Sequence, residues 1–194
     1  MTICLSTLTR LKSLSLTFQS PRSRPVRESR RPLPLLPTRT FLPALNNFKF
    51  KGVSKYLEDL VARIDAPLLD NLNITFFHQL IFDTPQLVQF IGRTPKFKDS
   101  DIAYLNCLNS SVRLSARGPG QALQLSISCR QTDWQLLSVA QVCMSSSGQA
   151  LIPTVKRLEI MSEDFGRYLQ DDIENSQWLE IFPSFTAVED LSLN

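Results

Sequence analysis

One short phrase recurs five times along this chain: an apolar residue, two fillers, an apolar residue, two fillers, then apolar, any residue, apolar. It reads Leu8-Leu11-Leu14-Leu16, Leu42-Leu45-Phe48-Phe50, Ala66-Leu69-Leu72-Ile74, Ile152-Val155-Leu158-Ile160 and Phe185-Val188-Leu191-Leu193. Steps of three suit a turn that feeds a strand, and the closing step of two puts both side chains on one face of that strand. Each such strand must bury its apolar face against the next copy, which constrains the fold more than any other feature of the chain.

The phrase has the grammar of a leucine-rich repeat without its asparagine ladder. It predicts an α/β fold: a leucine-rich-repeat-like solenoid of alternating strands and helices, with an irregular β-rich middle and missing end caps. Leu5 to Phe18 reads as a first strand, and Phe48 with Phe50 as a second that Gly52 ends. Ser54 is a helix N-cap candidate, followed by Tyr56, Leu57, Leu60, Val61 and Ile64 on one helical stripe that Pro67 stops. Leu69 to Phe77 predicts the next strand. Asp83 or Thr84 caps a helix with Pro85 in its first turn, ending near Gly92 and Pro95.

The cadence lapses between Leu72 and Leu158, and the middle section predicts three short strands: Ile102 to Leu108, Ser111 to Ala116 and Gln121 to Cys129, the last two joined through Arg117-Gly118-Pro119-Gly120. A helix from Thr132, a strand from Leu151, a helix over Ile173 to Phe182 and a strand over Phe185 to Leu193 complete the expectation. Solenoids shield their terminal strands with polar caps, and neither cap is legible here, which predicts a fragment of a longer protein.

The 194 residues predict a single domain, 1–194, and 43% hydrophobic with 20% charged content is ordinary for a folded protein. The net charge of +3 is local. Residues 20–40 hold Arg22, Arg24, Arg27, Arg30, Arg31 and Arg39 against Glu28 alone, together with five prolines that block helices, and predict a disordered insertion. The rest is slightly acidic, so no nucleic acid is expected as a partner. No apolar run reaches the length of a membrane span, and the first residues do not form a secretory signal, so an intracellular protein without a membrane partner is expected. Cys4, Cys107, Cys129 and Cys143 lack paired spacing and read as reduced core thiols.

Little in the chain points to chemistry. His78 is the one histidine, without an adjacent nucleophile or carboxylate, and reads as a satisfied strand-end side chain. Glu163-Asp164 and Asp171-Asp172-Glu174 lack the ligand spacing of a calcium loop, and Asp171 with Asp172 suit a helix N-terminus. No phosphate loop, nucleophile elbow or zinc signature occurs. No enzyme, metal or cofactor is therefore expected. Trp134 and Trp178 read as helix core. Arg31-Pro32-Leu33-Pro34-Leu35-Leu36-Pro37 matches an SH3-domain ligand, with Arg31, Pro34 and Pro37 as its contact residues; a basic localisation segment and a plain insertion are the other readings.

Three longer phrases resemble a known family: Lys51 to Asp70, which opens Lys51-Gly52-Val53-Ser54-Lys55-Tyr56-Leu57-Glu58-Asp59-Leu60, Phe76 to Leu87, which opens Phe76-Phe77-His78-Gln79-Leu80-Ile81-Phe82-Asp83-Thr84-Pro85, and Asp171 to Glu180, which opens Asp171-Asp172-Ile173-Glu174-Asn175-Ser176-Gln177-Trp178. With Ser20-Pro21-Arg22-Ser23-Arg24-Pro25 they resemble the leucine-rich-repeat-like region of fungal F-box proteins. In that family an F-box module recruits an SCF-type ubiquitin ligase core, and the repeat region is presumed to select the protein to be modified. The F-box itself is not present here.

The resemblance implies a non-enzymatic protein-binding module. Its expected partners are a protein substrate and, only where an F-box lies upstream, the ligase core. Alternate strand residues facing away from the core are the expected contacts: Lys49, Lys51, Asn73, Thr75, Glu159 and Ser192. The alternatives are a truncated remnant without a partner and a scaffold whose Arg/Pro-rich segment binds an SH3 domain.

Overall fold

The computed structural model describes residues 8–19, 39–79, 81–108, 110–128, 133–144, 151–162 and 180–194. In it the phrase becomes a turn followed by a strand. The step of three is closed by a backbone hydrogen bond in four copies: Leu11 N–H to Leu8 O (3.1 Å), Leu45 to Leu42 (3.3 Å), Leu69 to Ala66 (3.2 Å) and Val188 to Phe185 (3.2 Å). The strands that follow are β1 (Ser13–Thr17), β3 (Asn47–Gly52), β5 (Asn71–Phe76) and β10 (Asp190–Leu193), and the Ile152 copy leads into β9 (Arg157–Ser162).

A second device recurs at four of the five steps between parallel strands of the main sheet, the β5-to-Ala122 step being the exception, where Asp70 O accepts the Ala122 N–H alone. One carbonyl just before a strand accepts two consecutive N–H groups from the neighbouring chain segment. Lys12 O takes Asn46 and Asn47, Asn46 O takes Asp70 and Asn71, Asp101 O takes Lys156 and Arg157, and Lys156 O takes Glu189 and Asp190. This carbonyl fork fixes the register, so that apolar residues fall in line across strands.

All these strands belong to one eight-stranded sheet of order β1-β3-β5-β8-β7-β6-β9-β10. The middle is a meander of β6 (Ile102–Leu108), β7 (Ser111–Gly118) and β8 (Gln121–Ser128), with β7 antiparallel to both neighbours while every other pairing is parallel. The tight β7–β8 turn explains the reversal: Pro119 presets its own φ, and Gly120 adopts φ +73°, a conformation glycine takes without steric cost. A minor sheet pairs β2 (Thr40–Phe41) with β4 (Ile64–Asp65).

The expected solenoid of alternating strands and helices is therefore corrected. The described residues hold three complete helices, α1 (Ser54–Val61), α2 (Pro85–Arg93) and α3 (Asp133–Cys143), with two helical residues at Glu180 and Ile181 and short 3-10 turns at Pro95–Asp99 and Phe182–Ser184. The fold is a mostly parallel central sheet with few helices. The physical reason lies in residues 102–128: burial alternates residue by residue along all three strands, and with the Pro-Gly turn they lie side by side in the main sheet, joined without the helical return that a repeat would need.

Smaller expectations shift as well. Helix α1 ends at Val61 because Ile64 is taken into β4, where Thr40 N–H bonds Arg63 O (2.7 Å) and Leu42 N–H bonds Asp65 O (2.9 Å). Ser54 does not cap α1; Val53 holds that position, and the Ser54 hydroxyl lies 3.2 Å from Gln79 Oε1. Thr40, expected at the end of the insertion, is in β2 and buried. The helix expected over Ile173 to Phe182 falls largely outside the described residues, as do Glu163, Asp164, Asp171, Asp172, Glu174 and Trp178.

One face of the sheet is sealed. Phe48 and Phe50, Leu72 and Ile74, Leu123 and Leu125, and Leu158 and Ile160 are all buried on it. Helix α1 packs on β3, and α3 on β7 and β8. Aromatic rings run along the same layer, Phe18 to Phe50 (5.9 Å), Phe50 to Phe76 (6.4 Å) and Phe76 to Phe82 (5.5 Å). Gly52 has no side chain because the rings of Phe18 and Phe50 lie where a Cβ would meet them at 2.8 and 2.9 Å. Cys107 and Cys143 are buried in this layer and in no disulfide, and burial pushes the Cys143 thiol up to about 12.

Candidate functional site

The opposite sheet face carries no helix among the described residues. Alternation along each strand sends its polar residues there, and the shared register arranges them in rows across the sheet. The central row begins Ser15, Lys49, Asn73 and Gln124, and continues Ser115, Tyr104, Glu159 and Ser192. The next row runs Thr17, Lys51, Thr75, Ser126, Arg113 and Asn106. With eight strands at ~4.8 Å spacing, each full row spans ~34 Å.

All six residues expected as contacts lie on this face. Lys49, Asn73, Glu159 and Ser192 fall in the central row, and Lys51 and Thr75 in the adjoining one. They do not form one cluster, because the meander separates Lys49 and Asn73 from Glu159 and Ser192. Arg31, Pro34 and Pro37 lie outside the described residues. His78 is exposed just past β5, and the Trp134 side chain is not among those described. No helix among the described residues is long and apolar enough to cross a membrane, and no group of His, Cys, Asp and Glu there could hold a metal.

Charge divides the face. Lys49 and Lys51 on β3 and Arg113 and Arg117 on β7 are exposed cations. Two of them are steadied by rings of the same face: Lys51 Nζ is 6.0 Å from the Phe77 centroid, and Arg117 is 5.6 Å from that of Tyr104. The far side neutralises itself, through Arg157 to Asp190 (3.5 Å) and Lys156 to Glu189 (3.7 Å). Such exposed pairs contribute little to stability.

Between the two cationic strands lie β5 and β8, which offer amides and hydroxyls. Asn73 Nδ2 donates to Gln124 Oε1 at 3.3 Å, joining the two strands by their side chains. The face is thus a polar trough flanked by positive ridges three strand spacings apart, ~14 Å. Chemically it supplies hydrogen bonds and positive charge. Arg113, Arg117, Gln124 and Ser126 were not among the expected contacts, although the alternation in β7 and β8 that buries Leu114 and Leu125 places them opposite. Compared with family models, curated proteins and solved structures, the chain matches none.

Proposed function

We propose that this chain is a non-enzymatic, intracellular protein-binding module whose polar sheet face, bare of helices among the described residues, takes an acidic, extended segment of a partner protein. In keeping with the F-box resemblance of its sequence phrases, the partner is a protein selected for a ubiquitin ligase. The observation that carries the reading is the pair of cationic ridges, Lys49 with Lys51 and Arg113 with Arg117, on either side of the Asn73–Gln124 trough. An extended chain advances ~3.3 Å per residue, so acidic side chains about four residues apart would reach both ridges. Absence of backbone edges at the trough makes side-chain pairing, rather than strand addition, the binding mode.

Selection of peptides from a displayed random library tests this. Enriched sequences should carry two acidic residues about four apart, and their binding should weaken as salt screens the exposed charges. Lys49→Glu with Lys51→Glu should lose those peptides while the circular dichroism spectrum is unchanged. Peptides without acidic residues, full retention by the variant, or preferential capture of a single-stranded RNA probe by the same residues would each overturn the reading.

A further inference from the structure

We propose that the two outer edges of the main sheet are complementary halves of one self-association surface, β10 of one copy pairing in parallel with β1 of a second copy. The inference is independent of the acidic-peptide reading. Among the described residues nothing pairs with the outer side of either strand, and both strands carry the same tripeptide: Leu14-Ser15-Leu16 in β1 and Leu191-Ser192-Leu193 in β10.

The register makes the match more than compositional. Followed strand by strand, Leu14 lies in the row that ends at Leu191, and Leu16 in the row that ends at Leu193. A second copy would continue both apolar rows and the central polar row without offset. Leu191 and Leu193 are 48% and 57% exposed on the sheet side that is sealed elsewhere. Exposed leucines on an open strand edge invite a further strand.

Two further features fit the same partner. In the carbonyl fork, Glu189 holds the place after Lys156, and the groups that would fill its fork are the N–H groups of Lys12 and Ser13 on the next copy. Charge agrees: Glu189 lies 3.7 Å from Lys156 on its inner side, and the exposed Lys12 of a second copy would flank it on the outer side. Because the two edges are different surfaces, the contact is heterologous and propagates unless a ring closes.

Sedimentation equilibrium of the full chain up to millimolar concentration tests this, since a strand-sized contact sits at the weak end of interfaces. The weight-average mass should rise by roughly twofold or more with concentration. Leu191→Lys with Leu193→Lys blocks the β10 edge. Ser15→Pro blocks the β1 edge: Phe18 N–H points inward to Lys51 O, so the Ser15 N–H, an odd number of residues away, points outward and its loss spares the internal ladder. Each blocked chain should stay monomeric alone, and their equimolar mixture should stop at a dimer through the two intact edges. A monomeric wild type, association by either blocked chain alone, or a mixture that forms no dimer would overturn the proposal. Should Ser15→Pro fail to fold, Lys12→Glu, which sets two acids side by side, should weaken wild-type association about tenfold; unchanged association would overturn the proposal equally.

Discussion

Glu58 joins two helices through a single carboxylate. Its Oε2 accepts the Gln86 N–H and its Oε1 the Leu87 N–H, both at 2.8 Å, so a side chain of α1 satisfies donors in the first turn of α2. The residue at the α2 N-cap, Thr84, makes no capping bond of its own and instead donates its hydroxyl to Val142 O at the end of α3 (3.2 Å). The capping duty has passed to the neighbouring helix, where the macrodipole of α2 also favours a carboxylate. Glu58→Ala would leave two donors without their acceptor and should lower stability by about 1–3 kcal/mol in chemical denaturation.

Burial, against the two hydrogen bonds and with help from Asp83 and Asp59, holds the Glu58 carboxyl above the ordinary glutamate range. A carboxyl raised in the folded state keeps its proton better there than in the unfolded chain. Its contribution is complete below the unfolded value and declines as pH rises through the folded one. The stability advantage of wild type over Glu58→Gln should therefore narrow as pH rises above the ordinary glutamate range, as thermal unfolding at several pH values would show. A widening gap would contradict the assigned cause.

At the scale of elements, the meander depends on its tightest turn. Gly120 at φ +73° meets nothing where a Cβ would stand, so substitution there acts through backbone conformation alone. Gly120→Ala should cost about 1–2 kcal/mol, or about 2–8 °C in Tm for a chain of this size. Gly52→Ala belongs to the opposite case, where crowding by Phe18 and Phe50 is the obstacle. These strands were well legible in the sequence: Ile102 to Leu108 is β6 itself, and β7 and β8 end within two residues of expectation. Alternating residues show strands in any sheet. What alternation does not encode is strand order: the three middle strands were expected as an irregular part of a solenoid, whereas they enter the main sheet between β5 and β9, with β8 folded back on β7 at the Pro119-Gly120 turn.

The helices were less legible for a related reason. The stripe from Tyr56 to Ile64 continues past Val61, but backbone pairing with Thr40 captures Ile64 for β4, a tertiary contact that no local periodicity reports. Candidate site residues were readable in part. Lys49, Lys51, Asn73 and Thr75 followed from the strand phase alone, whereas Arg113, Arg117 and Gln124 join the same face only because β7 and β8 are inserted beside β5.

For the whole molecule, protection should follow position in the sheet. Amides of β3, β5, β8 and β7 have strands on both sides and a sealed layer beneath, whereas β1 and β10 are bonded on one side only among the described residues. Native-state hydrogen exchange should find Ser13–Thr17 and Asp190–Leu193 exchanging through local fraying and the inner strands only through global opening. Uniform protection across all eight strands would contradict this arrangement.

The reversed meander also sets an itinerary for folding. Within the block of β6, β7 and β8, partners are near neighbours along the chain and can meet early. The seams to the rest join distant residues, Asn71 to Ala122 on one side and Ile102 to Arg157 on the other. Long loop closures precede any gain from those seams, so they are the slow steps. The polar trough straddles the first seam, between Asn73 and Gln124, and is therefore assembled among the last parts of the molecule.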